Sequence, residues 1–149
     1  MFKLLLFLHL LTAIFAIGPL VHTATTAVRG LRTGDASATA SAARSTRIYS
    51  YASVAVVIFG FGLMSMDSPY HSGKVAEFGE VWIWLSVVLW VIAVAVALGL
   101  LAPSLERATT TINGGEKPEA STGTVALAGG VIGLLFFVIV LLMVYQPGS

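Results

Sequence analysis

Four long apolar runs constrain the fold of this chain more than any other feature of its sequence. They cover about residues 2–28, 48–66, 81–102 and 125–145. A helix rising about 1.5 Å per residue needs roughly 20 residues to cross about 30 Å of hydrocarbon, and each run is near that length. Residues 87–101 lack the alternation of apolar and polar side chains that a membrane β-barrel requires. We therefore expect an all-α, polytopic membrane protein with four transmembrane helices in a single domain.

The composition supports this interpretation and excludes several kinds of site. Hydrophobic residues make up 57% of the chain and charged residues 10%, which is too little polar surface for a soluble domain. A net charge of +1 provides no basic field to bind nucleic acid. The absence of cysteine excludes disulfides and thiolate metal sites. The expected partners are lipids and other integral membrane subunits.

The first run has some features of a secretory signal peptide, because Lys3 precedes the apolar stretch and small residues follow it. It is longer than a usual signal core, so we expect it to be retained as the first span. Gly18 and Pro19 should kink this helix, since Pro19 has no amide hydrogen and its ring clashes with the carbonyl four residues earlier.

The connections between the runs differ in charge. The segment 29–47 holds four arginines against Asp35, whereas 67–80 holds one lysine against three acids, and the third connection carries Arg107 and Lys117. The positive-inside rule then makes 29–47 a cytoplasmic loop and places both termini outside the cytoplasm. Residues 35–43 are compatible with a short surface helix. We find no convincing internal repeat, so the halves are expected to share only their two spans each.

The fourth run contains small residues at the spacing that brings two membrane helices close together. Gly129 and Gly133 lie four residues apart, as do Ala126 and Gly130. Such pairs share a helical face and let another backbone approach. Two partners are open for these faces, another helix of this chain or a second subunit.

His9, Thr12, Ala13 and Ala16 follow one face of the first run. A histidine exposed to hydrocarbon would lack hydrogen-bond partners, so this face should contact another helix. We expect a structural histidine, with haem ligation by His9 as the alternative. The other candidate axial ligand, His22, lies about 20 Å further along the same helix. No run contains a carboxylate, lysine or arginine well inside it, which disfavours a transporter.

A second alternative is copper, because the segment 64–71 places Met64, Met66 and His71 close together in sequence. Thioether and imidazole groups bind copper(I). Methionine at the end of an apolar helix more commonly fills space, and Ser68 with Pro69 is typical of an ordinary turn. No phosphate-binding loop, catalytic triad or zinc-ligand spacing is present. We therefore expect no cofactor and no active site in this chain itself.

The opening residues Phe-Leu-His-Leu-Leu-Thr-Ala-Ile from Phe7 to Ile14, followed by Gly18 and a basic segment, resemble a family of small four-span bacterial membrane proteins of unknown function. The alanine- and threonine-rich connections are typical of high-GC bacteria. In that setting the chain looks like an accessory subunit of the actinobacterial cytochrome bcc–oxidase respiratory supercomplex. The resemblance implies respiratory cytochrome subunits as partners and a role in assembly or lipid organisation, and it carries over no catalytic residue.

Overall fold

In the part of the chain that the structure describes, four helices are long and apolar enough to cross a membrane, which confirms the expected all-α fold. The computed structural model describes residues 1–69 and 73–147, and for residues 119 and 120 it describes the backbone alone. The helices that could span a bilayer are Phe2–Thr33, Ala36–Met64, Val81–Asn113 and Ser121–Tyr145, termed spans 1 to 4. The protein is therefore a multi-pass membrane protein.

Spans 1 and 3 each contain a wider π-helical turn, whereas spans 2 and 4 are continuous α-helices. Span 1 consists of α1, a π-turn and α2, and span 3 consists of α4, a second π-turn and α5. In chain order the elements are α1 (Phe2–Thr12), the turn Ala13–Ile17, α2 (Gly18–Thr33), α3 (Ala36–Met64), α4 (Val81–Val96), the turn Ala97–Leu101, α5 (Ala102–Asn113) and α6 (Glu119–Tyr145).

Each π-turn directly precedes a proline-containing first turn of an α-helix. Pro19 is the second residue of α2, and Pro103 is the second residue of α5. A proline inside a helix removes one hydrogen bond and pushes on the preceding turn, and π-turns are a common site of such distortion. The expected distortion at Gly18 and Pro19 therefore takes the form of a π-turn just before them.

The structure replaces the expected loop over residues 29–47 with two helix ends and a tight turn. Residues 29–33 belong to α2, and residues 36–47, which include the expected surface helix, belong to α3. Gly34 stops α2 with a left-handed backbone, φ 65°. The carboxylate of Asp35 then caps α3 by accepting a hydrogen bond from the amide of Ala38 at 3.0 Å. The alanine-rich sequence between the arginines favours helix, so the polar segment extends both helices instead of separating them.

Spans 1, 2 and 3 are consequently longer than a bilayer requires. At about 1.5 Å per residue, the 32 residues of span 1 and the 33 residues of span 3 each reach about 50 Å, against about 30 Å of hydrocarbon. Apart from Lys3 at the start of span 1, the Asp, Glu, Lys and Arg residues of these three spans lie toward one end, near the Gly34 turn and the connection at Gly114. We call this end of the bundle the arginine end.

The core changes character along the bundle. Toward the arginine end it is built largely of small residues and leucines of α2, α3 and α5, together with Val125 and Ala128 of α6. Toward the other end a second buried cluster joins the connection after α3 to the start of α4. The first cluster includes Leu20, Ala24, Leu31, Ala43, Leu105 and Ala108, and the second contains Met64, Ala76, Trp82 and Ile83.

The two halves of the chain form an internal repeat, which corrects the expectation that they share only their number of spans. Pro19, Ala24, Thr25, Thr26 and Gly30 in α2 recur at one constant offset as Pro103, Ala108, Thr109, Thr110 and Gly114. In both halves the same elements precede and follow this motif: a helix, a π-turn, a helix ending near the glycine, and a long second helix.

Packing between the halves is reciprocal. The helix α2 packs on α6 of the other half, and its counterpart α5 packs on α3. Within the first half α1 contacts α3, and within the second half its counterpart α4 contacts α6. Both halves start on the same side of the bundle, so they are parallel repeats of the kind related by an axis along the membrane normal.

Candidate functional site

The face of α1 that carries His9 and Thr12 points toward the neighbouring helix α3. Leu4, Phe7 and Leu10 are each more than half exposed at the periphery of the chain. The opposite face carries the stripe expected from the sequence, in which His9, Thr12 and Ala13 are half-buried and Ala16 is buried. The hydroxyl of Thr12 donates to the carbonyls of Leu8 and His9 within its own helix. His9 is therefore the side chain of this stripe that connects two helices.

His9 bonds to the backbone of α3. Its Nδ1 lies 2.9 Å from the carbonyl oxygen of Val56. A carbonyl only accepts, so Nδ1 carries the proton, and a neutral ring then has an acceptor lone pair at Nε2. This is the hydrogen bond to a neighbouring helix that we expect of a structural histidine.

Gly60 provides the space for the imidazole. A Cβ at Gly60 would lie 3.2 Å from Cε1 and 3.4 Å from Nδ1 of His9, which is a tight approach. Gly60 and Val56 are one helical turn apart on α3, so one face of this helix supplies both the hydrogen-bond acceptor and the space for the ring. The backbone of α3 thereby fixes the orientation of His9.

Next to His9 lies a cavity of about 200 Å³ at the end of the bundle away from the arginines. All four spans and the connection after α3 contribute to its walls, which are mainly aliphatic and aromatic. They include His9, Gly60, Trp82, Ser86, Trp90 and Phe136.

Polar groups in these walls bond within the protein. Ser86 donates to the carbonyl of Trp82 at 2.8 Å, Trp90 donates to the hydroxyl of Ser53 at 3.0 Å, and the indole of Trp82 donates to Glu80. These side chains therefore present to the cavity mainly apolar surface and oxygen acceptors, not free donors.

A row of buried hydroxyl groups on α3 continues from the cavity toward the arginine end. Thr39, Thr46, Ser50 and Ser53 are all fully buried. Thr39 bonds to Thr109 of α5 at 2.7 Å, and Ser53 donates to the carbonyl of Ser50. The Ser50 hydroxyl has no hydrogen-bond partner among the described residues. This row was not predicted from the sequence, although its residues recur at intervals of seven, four and three residues and so lie on one helical face.

The two small-residue pairs of α6 lie in different environments. Gly129 is buried against α2, where a Cβ would overlap the carbonyl oxygen of Ala24, and Gly133 lies beside the methyl group of Thr25. Ala126 and Gly130 are exposed, and the described structure places nothing within 4 Å of a Cβ at Gly130. The first pair packs two helices of this chain together, and the second remains uncovered.

The candidate copper residues are only partly within the described structure. Met64 is buried in the cluster with Ala76, Trp82 and Ile83, where its side chain fills space. Met66 is half-buried, and its carbonyl accepts a hydrogen bond from Val75. His71 lies outside the described residues. Within the described ranges no group of three His, Asp or Glu side chains could hold a metal ion.

The arginine end carries mostly unpaired positive charge. Arg47 makes a bidentate ion pair with Glu106 of α5 at 2.8 and 3.1 Å, in an exposed position. The other basic residues at this end are exposed and form no ion pair in the part of the chain that is described: Arg29, Arg32, Arg44, Arg107 and Lys117.

Asp35 lies at the Gly34 turn of the same end. The hydrogen bonds from the Ala38 amide and then from the Ser37 hydroxyl lower the pKa of the Asp35 carboxyl below its usual value. The charged form of this carboxylate is thus the one that caps α3.

These features define a class of protein: a helical, four-span membrane protein built from two parallel repeats. The chain belongs to a family described as "Predicted integral membrane protein (DUF2269)", which matches residues 3–147. Neither a search of curated proteins nor a search of solved structures found a match to this chain.

Proposed function

We propose that this chain is a non-catalytic accessory subunit that docks on a larger integral membrane protein through the exposed small-residue face of α6. The observation that carries the proposal is that Ala126 and Gly130 are exposed. A second pair with the same spacing on the same helix, Gly129 and Gly133, already packs against α2. Small residues allow close backbone approach, which is the main route to helix association in lipid.

The same face continues with large apolar side chains toward the other end of the helix. Leu134 and Phe137 follow Gly130 at helical spacing and are each about 60% exposed. A partner helix could therefore approach closely at Ala126 and Gly130 and pack against bulkier side chains further along. No Asp, Glu, Lys or Arg interrupts this surface between residues 121 and 145. The partner is accordingly a transmembrane helix.

The resemblance of the opening residues supports a more specific partner. We infer that the larger protein is a respiratory cytochrome subunit of the actinobacterial bcc–oxidase supercomplex, in the bacterial plasma membrane. The arginines at residues 29–47 favour an orientation with that end in the cytoplasm and both termini outside. In this arrangement haem and copper chemistry belong to the partner, while this chain contributes to assembly or lipid organisation.

Purification in a mild detergent tests the proposal directly. A tagged chain should copurify with one defined membrane complex, identified by mass spectrometry, and Ala126→Leu with Gly130→Leu should release it. Leucine inserts well into lipid but blocks close helix approach. The matched control is Ala95→Leu, because Ala95 is an exposed small residue on α4. Recovery of the wild-type chain alone, or a complex that the double variant Ala126→Leu and Gly130→Leu retains, would argue against the proposal.

A second candidate function is a cofactor-binding module, and the hydrogen bond of His9 is the observation that favours it. Histidines that bind metals usually donate their other ring N–H to a carbonyl or carboxylate, as His9 does to Val56. Against haem, the cavity beside His9 is smaller than the about 300–1,000 Å³ typical of sites for drug-sized ligands. An absorption spectrum and metal analysis of the wild type and His9→Gln decide between the two functions. A haem or copper signal lost in the variant would favour the cofactor module.

A further inference from the structure

We propose that the cavity beside His9 binds a neutral, membrane-soluble aromatic alcohol, a molecule with one or two fused rings and a ring hydroxyl such as a hydroquinone head group. The hydroxyl donates to Nε2 of His9, and the rings occupy the aromatic walls. This inference is independent of the docking face on α6.

The size of the cavity sets the size of the ligand. Its volume is about 200 Å³. A dry apolar cavity of roughly 150 Å³ in another protein accepts benzene, so this one has room for a somewhat larger ring system. Trp82, Trp90 and Phe136 supply aromatic walls, against which rings prefer to pack.

The polarity of the walls selects a hydrogen-bond donor. The Nδ1 proton of His9 is donated to Val56, so in the neutral ring Nε2 is an acceptor. The Ser86 hydrogen is donated to Trp82, so its oxygen also can only accept. Beside His9 and Ser86, a ligand hydroxyl would pair with such an acceptor, whereas a carbonyl or an ether oxygen at the same place would meet another acceptor. The amide of Gln146, which also lines the cavity, can both donate and accept, so His9 and Ser86 provide the preference. The site should therefore distinguish the reduced, hydroxyl form of a ring from its ketone or ether form.

The depth of the cavity requires an apolar ligand. His9 lies about 10 Å along span 1 from its first residue, within the hydrocarbon region if the helix spans the bilayer. His9, Gly60 and Trp90 are each half-buried, so the walls of the cavity reach the surface of the chain. Molecules already dissolved in the lipid are the ones that can enter from this side.

Two related probes test the proposal: 6-bromo-2-naphthol, whose hydroxyl can donate, and 6-bromo-2-methoxynaphthalene, in which a methyl group replaces that hydrogen. The affinity of each probe is corrected for its partitioning into protein-free nanodiscs. Bromine quenches tryptophan fluorescence on contact. The full chain carrying Trp84→Phe, in nanodiscs, retains Trp82 and Trp90 as reporters, and both line the cavity. Quenching titrations give the affinity of each probe.

We expect the naphthol to bind about fivefold more tightly, the value for one net hydrogen bond of about 1 kcal/mol. His9→Asn should remove this preference, because its amide can still donate to Val56 but provides no acceptor at the Nε2 position. Ser86→Leu and Val87→Phe, which each enlarge a residue of α4 that lines the cavity, should weaken the binding of both probes at least tenfold. Val88→Phe, at an exposed position on α4 next to Val87, should bind as the wild type does.

Circular dichroism and gel filtration identify variants that fail to fold. The comparison of the two probes in the protein without these substitutions does not depend on any variant. Equal affinity of the two probes in the wild type would overturn the proposal and indicate apolar occupancy, as by a lipid chain. An unchanged preference in folded His9→Asn, or wild-type affinity in both filled variants, would also overturn it.

Discussion

Gly129 of α6 lies directly against the backbone of Ala24 in α2, so closely that a Cβ at position 129 would be 2.9 Å from the carbonyl carbon of Ala24. This contact joins the second helix of one repeat to the first helix of the other. The corresponding contact in the other half involves α3 and α5, where Ala43 and Ala108 are both buried. Close packing of small residues therefore holds the two repeats together.

The first prediction concerns this contact. Gly129→Ala should lower the free energy of unfolding by about 1–3 kcal/mol, because the added methyl group meets backbone that cannot rotate away. Gly130→Ala should be neutral or slightly stabilising, since its surroundings are open and alanine favours helix. Thermal or denaturant unfolding in detergent measures both. Equal stability of the two variants would contradict the assigned packing face.

The second prediction concerns the contact between His9 and Gly60. Gly60→Val should destabilise the chain in the presence of His9, because the larger side chain displaces the imidazole and weakens its hydrogen bond to Val56. In a His9→Ala background the same change should cost less, giving a coupling energy of about 0.5–1.5 kcal/mol. Gly130→Val is the control and should show no coupling to position 9. Additive effects at positions 9 and 60 would show that the ring does not use this space.

The third prediction concerns orientation. The chain has no cysteine, so single cysteines at Ser41 and Glu77 report on opposite ends of the bundle without a background signal. Both residues are exposed. In intact cells a membrane-impermeant thiol reagent should label position 77 and leave position 41 unlabelled until the cells are opened. Labelling at position 41 alone would reverse the proposed orientation.

The fourth prediction concerns the pH dependence of the cap on α3. Because the folded pKa of Asp35 is lowered, its carboxylate stabilises the fold above its unfolded pKa of about 3.8, and this contribution is lost as the pH falls through the lowered folded value. Asp35→Asn keeps a capping oxygen and should remove this part of the pH dependence. Melting temperatures between pH 6 and pH 3 test it. The wild type and Asp35→Asn should converge in acid, and parallel curves would exclude a role for the charge.

Much of the fold could be predicted from the sequence because lipid imposes a simple rule on long apolar runs. The expected loop over residues 29–47 is wrong. Its four arginines favour a loop, but they are compatible with helix, and α2 continues to Gly34 while α3 begins directly after Asp35. The internal repeat was also overlooked, since most of its positions differ. Its signal is the short shared motif from Pro19 to Gly30 and from Pro103 to Gly114.

The candidate site was less accessible to sequence reasoning. The spacing of His9, Thr12 and Ala16 indicates an inward face, but Val56 and Gly60 lie on another helix whose register depends on packing of the whole bundle. For the same reason the sequence could not tell Gly129 and Gly133 from Ala126 and Gly130. Both pairs have identical spacing, and only the position of α2 decides which one is buried.

The most direct test of the account is the copurification of the chain with a membrane partner through α6. Wild type and Ala95→Leu, each purified in mild detergent, should both bring down the same integral membrane complex in constant stoichiometry. The double variant Ala126→Leu and Gly130→Leu should fold with unchanged helix content yet be recovered without it. A chain recovered alone in the wild type, or a double variant that keeps the complex, would contradict the proposal that this exposed face is the docking surface.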